Sequence, residues 1–114
     1  MEIKHTTTNR GFVLFEFKDR YDHSCSLQKS SLATEDAIWF GIDDPEPKIL
    51  ASVVNQVNPE TGEVSGWVPY PIREEVHIAT RMHLTREQVA ALLPFLQKFV
   101  DDGELPYPTD SGGE

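Results

Sequence analysis

The sequence predicts an α+β domain in which an antiparallel sheet of four to six strands carries one long C-terminal helix packed on one face. Three observations lead to this class. Residues 11–18 and 76–84 alternate as half-buried strands do. After Thr85 the apolar residues recur at helical spacing. Turn-forming residues separate the strand segments, and only one long helix is predicted, which favours antiparallel pairing over parallel strands joined by helices.

Further strands are predicted between these segments. Ser24–Lys29 follows 11–18 across an aspartate-rich turn, so the two form an antiparallel hairpin. Ala37–Ile42 is the most apolar run of the first half and predicts a central strand. Residues 53–57 and 63–68 flank a strong turn signal and predict a second hairpin.

The helix has clear boundaries in the sequence. Thr85 is suited to the N-cap, and Gln88 three residues later completes a capping box. Pro94 lies inside the pattern and is expected to kink the helix or end an early segment, and Gly103 is a natural stop. We expect the apolar stripe to pack on the sheet and bury its leucines 93 and 96 deeply. The stripe consists of Val89, Leu92, Leu93, Leu96, Phe99 and Val100.

Length and charge restrict the function classes. A chain of 114 residues fits one domain, predicted here as 1–103 with a flexible acidic tail at 104–114. The net charge of −9, from 19 acidic and 10 basic residues, argues against nucleic acid as a partner. A DNA mimic is the alternative, but five acidic residues lie after Val100, so a solubilising acidic surface is the simpler reading.

The sequence also predicts the compartment. The lone Cys25 suits a reducing cytoplasm, and we expect neither a signal peptide nor a membrane span.

No sequence motif indicates catalysis, a metal or a cofactor. The glycine-rich phosphate loops and the serine-hydrolase and zinc-protease signatures are absent from the sequence. We therefore predict a non-enzymatic protein without a cofactor. His23 and Cys25, two residues apart, leave open a small metal- or cysteine-dependent hydrolase, although half-buried structural roles explain both residues as well.

One cluster of residues suits a small polar ligand. Serine hydroxyls, an amide and a lysine precede a tryptophan, and two cationic side chains share one face of a later strand. Hydroxyl and amide groups beside an aromatic ring could hold a nucleotide, and cationic groups its phosphate. A plain structural role for the same residues is the alternative. The candidate ligand-binding residues are Ser26, Gln28, Ser30, Ser31, Trp39, Arg81 and His83.

Two stretches resemble small proteins encoded by tailed bacteriophages and prophages. They are Cys25-Ser-Leu-Gln-Lys-Ser-Ser-Leu-Ala33 and Arg81-Met-His-Leu-Thr-Arg-Glu-Gln-Val-Ala90. The resemblance covers about residues 10–43 and 66–103. It implies a phage-encoded protein acting in the bacterial cytoplasm. Small acidic phage proteins without motifs often work by occupying a target, so the resemblance favours binding over turnover.

Three functional hypotheses follow. The first is a binding protein that inhibits a bacterial defence or host factor. The second is a sponge that sequesters a small signalling nucleotide, and the third is the hydrolase named above. We also expect a homodimer, because one helix cannot cover both faces of a sheet rich in aromatic residues. The candidate protein-contact residues are Asp43, Asp44, Glu46, Trp67 and Tyr70.

Overall fold

The computed structural model describes residues 1–108, so residues 109–114 of the predicted tail lie outside the described part. Residues 104–108 are exposed and form neither helix nor strand. The α+β class is confirmed, with seven strands and one helix in the described part of the chain. The elements are β1 Lys4–Thr7, β2 Val13–Lys18, β3 Ser24–Lys29, β4 Ala37–Ile42, β5 Lys48–Leu50, β6 Trp67–Pro69, β7 Arg81–Thr85 and α1 Arg86–Asp102.

Five strands form one antiparallel sheet in the order β1-β2-β3-β4-β7. The predicted hairpin is confirmed as β2 paired with β3, with Phe17 opposite Cys25. β4 is an internal strand, as its apolar sequence predicts. β1 and β7 are the two edge strands, and α1 follows β7 without a connecting loop.

The register divides the side chains between two different faces. One row runs Phe15, Leu27, Phe40 and Met82 across four strands. A neighbouring row, whose side chains point to the opposite face, consists of Leu14, Gln28, Trp39 and His83. We call the first the apolar sheet face and the second the polar sheet face. The apolar sheet face comprises Phe15, Phe17, Leu27, Ile38, Phe40, Ile42 and Met82, and the polar sheet face comprises Ser26, Gln28, Trp39, Arg81 and His83 with their neighbours.

The predicted second hairpin exists, but its strands lie further from the turn than expected. β5 and β6 pair with Ile49 opposite Val68, while residues 51–66 between them form turns and loops. The buried Asn58 organises this segment, because its side chain donates to the Ser65 carbonyl at 3.1 Å and its backbone N–H to the Glu63 carbonyl at 2.7 Å. These local bonds replace the strand ladder that we predicted there.

The strand predicted at 76–84 is shorter in the structure. Only residues 81–85 pair with β4, opposite Ala37 to Gly41, and the pairing stops one residue before β4 ends at Ile42. Gly41 allows the two strands to approach at this end. A Cβ atom on Gly41 would lie 2.6 Å from the Thr80 carbonyl oxygen, and its φ of 152° is a conformation that favours glycine.

Both predicted ends of α1 are confirmed. The Thr85 side chain accepts from the Gln88 N–H at 3.2 Å, and the Gln88 amide oxygen accepts from the Thr85 N–H at 2.9 Å. Gly103 ends the helix in the left-handed conformation and donates its N–H to the Phe99 carbonyl. The helix passes through Pro94 and continues to Asp102. No helix in residues 1–108 is long and apolar enough to cross a membrane.

The expected burial of the helix leucines is wrong. Leu93 is 57% exposed and Leu96 is 53% exposed, and α1 has no buried residue. The reason is the position of the helix: it begins at the outer edge of the sheet, after β7, and does not cover a sheet face of its own chain. Only its first turns approach the sheet, where Val89, Ala90 and Leu93 line an open groove of about 550 Å³ with Ile38 and Leu84.

Candidate functional site

Six of the seven predicted ligand-binding residues lie together on the polar sheet face. Side chains two residues apart on a strand share a face, so β3 presents Ser26 and Gln28 there. β4 adds Trp39, and β7 adds Arg81 and His83. Ser30 follows β3 and joins them through the His83 ring. The seventh residue, Ser31, is exposed in the loop after β3 and is not among the hydrogen-bonded members of this cluster.

Arg81 connects the strands of this face. Its guanidinium donates to the Gln28 amide oxygen at 3.0 Å. The guanidinium carbon also lies 5.4 Å from the centre of the Trp39 ring, within the range of a cation–π contact. The Arg81 Nε atom lies 4.0 Å from the Asp43 carboxylate. These contacts hold the Arg81 guanidinium between an amide, an indole and a carboxylate.

His83 connects the Trp39 ring to the buried hydroxyl group of Ser30. Trp39 and His83 stack with ring centroids 3.9 Å apart and an angle of 7° between the planes. The His83 Nε2 atom lies 2.9 Å from the Ser30 hydroxyl, which is almost fully buried. The hydroxyl also accepts the Leu32 N–H at 3.3 Å. The imidazole therefore has a defined position beside the indole.

Asp43 belongs to this polar cluster, although the sequence suggested a protein contact for it. The buried Ser26 hydroxyl donates to its carboxylate at 2.6 Å, and Arg81 lies on its other side. Strand alternation could have found this, because Trp39, Gly41 and Asp43 are spaced by two residues and therefore point the same way. We missed it because Asp43 reads as the first residue of the following turn.

The groups of the polar sheet face are largely paired with one another. Four cavities of residues 1–108, of about 270 to 610 Å³, are lined by side chains other than Gln28, Trp39 and His83. A ligand would therefore contact the exposed edges of Arg81 and His83 and would compete with the existing hydrogen bonds. Chemically, the face offers a cation and an aromatic pair, which suits an anion with a planar group.

A cleft between residues 45–48 and 69–78 brings together two of the predicted protein-contact residues. It measures about 610 Å³, and mostly proline and aliphatic side chains line it. Tyr70 and Glu46, both predicted as contact residues, lie on its walls, and the Tyr70 N–H donates to the Pro47 carbonyl at 2.9 Å. Trp67 lies on the adjacent strand β6 and is 62% exposed. We refer to this region, with Trp67, as the proline cleft; its other lining residues include Pro45, Pro69, Pro71, Ile72, Glu74, Val76 and Ile78.

Asp44, the remaining predicted contact residue, is exposed in the turn after β4, directly before the cleft residue Pro45. The Glu46 carboxylate lies 3.5 Å from the His23 ring and 3.9 Å from the Lys48 amine. The prolines of the cleft were absent from our prediction. Their signal was present in Asp44-Pro-Glu-Pro47 and Pro69-Tyr-Pro71, which we interpreted only as strand breakers.

The His23 and Cys25 pair shows no activation of the thiol. Burial raises the pKa of Cys25, with a smaller contribution from the nearby Asp19 carboxylate, whereas a nucleophilic cysteine needs a lowered pKa. The thiol contacts the His23 carbonyl oxygen at 3.4 Å, while the His23 ring faces Asp19 at 3.3 Å. Within residues 1–108 no group of three or more potential ligands could hold a metal ion.

Comparison with known proteins adds no relative. No protein-family model matches the chain, and neither the curated proteins nor the solved structures give a significant match.

Proposed function

We propose that this chain is a phage-encoded, non-enzymatic protein that inhibits a bacterial defence or host factor by binding it directly. The proline cleft is the proposed contact surface. The observation that carries the proposal is the exposure of two large aromatic side chains beside this cleft, Trp67 at 62% and Tyr70 at 47%. Tryptophan and tyrosine are the residues that most often dominate the binding energy of protein interfaces.

The chemistry of the cleft suits a protein side chain. Its walls are mostly apolar, and prolines keep them rigid, so binding costs little conformational entropy. Charged side chains of both signs are also among its lining residues, with Glu46 and Glu74 on one hand and Lys48 and Arg73 on the other. An apolar surface combined with charged groups is common in protein–protein interfaces.

Affinity capture tests this surface. The tagged chain is incubated with bacterial lysate, and captured proteins are identified by mass spectrometry. We expect a host protein that the wild type retains and that the double variant Trp67→Ala/Tyr70→Ala loses. Both side chains are exposed, so the variant should keep the fold, which circular dichroism verifies.

The matched control is Tyr107→Ala, which removes an aromatic side chain that is 86% exposed and lies outside the cleft. It should retain the same host protein at the wild-type level. If the cleft variant captures as much as the wild type, or if both variants lose the protein equally, the proposed surface is wrong.

A second candidate function is the sequestration of a small anionic molecule, such as a signalling nucleotide. The observation that favours it is the position of Arg81 against the Trp39–His83 stack, which places a cation beside an aromatic surface. Phosphate would pair with the guanidinium, and a base would extend the aromatic stack.

Native mass spectrometry of protein purified from bacteria distinguishes this candidate from the first. It predicts an extra mass that disappears on denaturation and is absent from Arg81→Ala. The control Arg86→Ala removes an arginine whose side chain is 83% exposed at the start of α1, and it should keep the extra mass. Equal binding by both variants would exclude the polar sheet face as the ligand site.

A further inference from the structure

We infer that this chain forms a symmetric dimer in which α1 of each copy packs on the apolar sheet face of the other. The inference concerns a surface separate from the proline cleft and does not depend on the proposed function. Two apolar surfaces carry it. One is the helix stripe, and the other is the apolar sheet face. Within residues 1–108 only the first turns of α1 lie near this sheet face.

The helix stripe is large enough for a stable interface. Its members Leu92, Leu93, Leu96, Phe99 and Val100 are between 44% and 76% exposed, and Phe95 beside them is 49% exposed. At roughly 180 Å² for a fully exposed residue of this size, the six side chains present on the order of 600 Å². A standard interface buries about 800 Å² on each partner. The sheet face supplies the remainder.

The apolar sheet face matches this stripe in chemistry. Phe15, Leu27 and Phe40 form a continuous row across three strands and are only half-buried, and Met82 at the edge is 53% exposed. The row continues on β1 with His5, which stacks on the Phe15 ring, and is apolar from Phe15 to Met82. A helix with an apolar stripe is the element that covers a sheet face in α+β proteins.

The connection of the helix explains why the covering helix comes from a second copy. α1 starts directly at the end of the edge strand β7, where only its first turns approach the sheet. Its 17 residues span about 25 Å, and five strands spaced by about 4.8 Å give a sheet about 19 Å wide. A helix leaving this edge is therefore long enough to cross the sheet of a neighbouring copy.

The accessible surface area and the radius of gyration agree with a dimer in which the two copies exchange their helices. The accessible surface is 9553 Å², whereas a compact monomer of 12.9 kDa exposes about 6,300 Å². The radius of gyration is 19.1 Å, compared with about 13 Å for a compact domain of this length. The excess is larger than the roughly 1,000–2,500 Å² that each partner of an obligate dimer buries, because the exposed loops and residues 104–108 also contribute to it. Reciprocal packing also closes the assembly, because each copy gives one helix and receives one.

Sedimentation of the full chain tests the dimer. We expect twice the mass of 12.9 kDa for the wild type at micromolar concentration. Leu96→Asp places a charge in the stripe and should weaken dimerisation at least a hundredfold. Asp101→Lys changes a charge on the side of the helix opposite to the stripe and should leave the dimer intact. A monomeric wild type, or equal effects of the two variants, would overturn the inference.

A second measurement uses only the wild-type chain and therefore tests the dimer even if Leu96→Asp fails to fold. In a wild-type sample mixed from isotopically labelled and unlabelled chains, isotope-filtered NMR detects contacts between copies only. We expect contacts between the Leu96 methyl groups of one copy and the Phe40 ring of its partner. If these contacts are absent from the filtered spectrum but present in the unfiltered spectrum of a fully labelled sample, α1 folds back on its own sheet and the exchange is refuted. Either result leaves the test of the proline cleft unaffected.

Discussion

The indole of Trp39 lies parallel to the imidazole of His83, with ring centroids 3.9 Å apart and an angle of 7° between the planes. The two residues are directly opposite each other in the pairing of β4 with β7. Because β7 is an edge strand and leads into α1, this stack is one of the few side-chain contacts that hold the last strand and the helix to the rest of the sheet. Its loss should therefore affect stability.

We expect His83→Ala to lower the free energy of unfolding by about 1 kcal/mol, because it removes the stack and the contact with the Ser30 hydroxyl. Urea denaturation at a fixed protein concentration measures this. His77→Ala is the control, since His77 is exposed outside the sheet, and it should change the value by less than about 0.5 kcal/mol. Equal effects would mean that the stack contributes nothing.

Gly41→Ala should disturb the same pair of strands. The new methyl group would lie 2.6 Å from the Thr80 carbonyl oxygen and 2.9 Å from the Arg81 Cα atom, and both are backbone atoms that cannot move alone. We expect a loss of about 1–3 kcal/mol in the free energy of unfolding. Gly62→Ala is the comparison, because φ is also positive there but no atom lies within 4 Å of the added Cβ. If Gly41→Ala costs no more than Gly62→Ala, the close approach is unimportant.

The stability of the first hairpin should depend on the ionisation of Asp19. Its carboxylate accepts the N–H groups of His23 and Tyr21, and the bond from His23 is the main reason that the pKa of Asp19 is lowered. The charged form is thus preferred in the folded state. The stabilisation is fully present above the unfolded pKa and is lost as the pH falls through the lower, folded pKa.

NMR titration of the carboxyl carbons measures this directly. Asp19 should titrate below the ordinary aspartate value of 3.8. In parallel, the difference in unfolding free energy between the wild type and Asp19→Ala should shrink as the pH falls below 4. An Asp19 carboxyl that titrates at its ordinary value would contradict the hydrogen-bonding account.

Cys25 should react slowly with thiol reagents in the folded protein. It is 5% exposed, and burial raises its pKa, so both access and thiolate formation are suppressed. We expect labelling by an aromatic disulfide reagent to be at least a hundredfold slower in buffer than in denaturant. Fast labelling in buffer would indicate an accessible thiol and would support the hypothesis of a cysteine-dependent hydrolase.

Sequence periodicity predicted the parts of the fold that depend on local signals. The hairpin of β2 and β3, the internal strand β4 and both caps of α1 follow from alternation and from Thr85, Gln88 and Gly103. The exposure of Leu93 and Leu96 could not be predicted from the sequence. An apolar stripe indicates that a helix packs against another surface, but it does not indicate which surface. The length of β7 depends on how far its pairing with β4 extends, which is a tertiary property.

In the candidate site, too, the local features could be predicted from the sequence and the tertiary features could not. Alternation within each strand placed Ser26 with Gln28 and Arg81 with His83, and the register then joined these strands on one face. The hydrogen bonds between the candidates themselves, such as Arg81 to Gln28, could not be predicted, because they depend on the register between strands. The proline cleft depends on residues about 20 positions apart in the sequence, so no local pattern indicated it.

Site-specific photocrosslinking in living bacteria tests the proposed function most directly. A photoreactive phenylalanine analogue replaces Trp67 in the proline cleft, or Tyr107 outside it as the control. The account predicts one discrete product at position 67, heavier than the chain by the mass of a host protein, and no such product at position 107. The absence of a product at position 67, or a product of twice the chain's own mass, would contradict a host protein in the cleft.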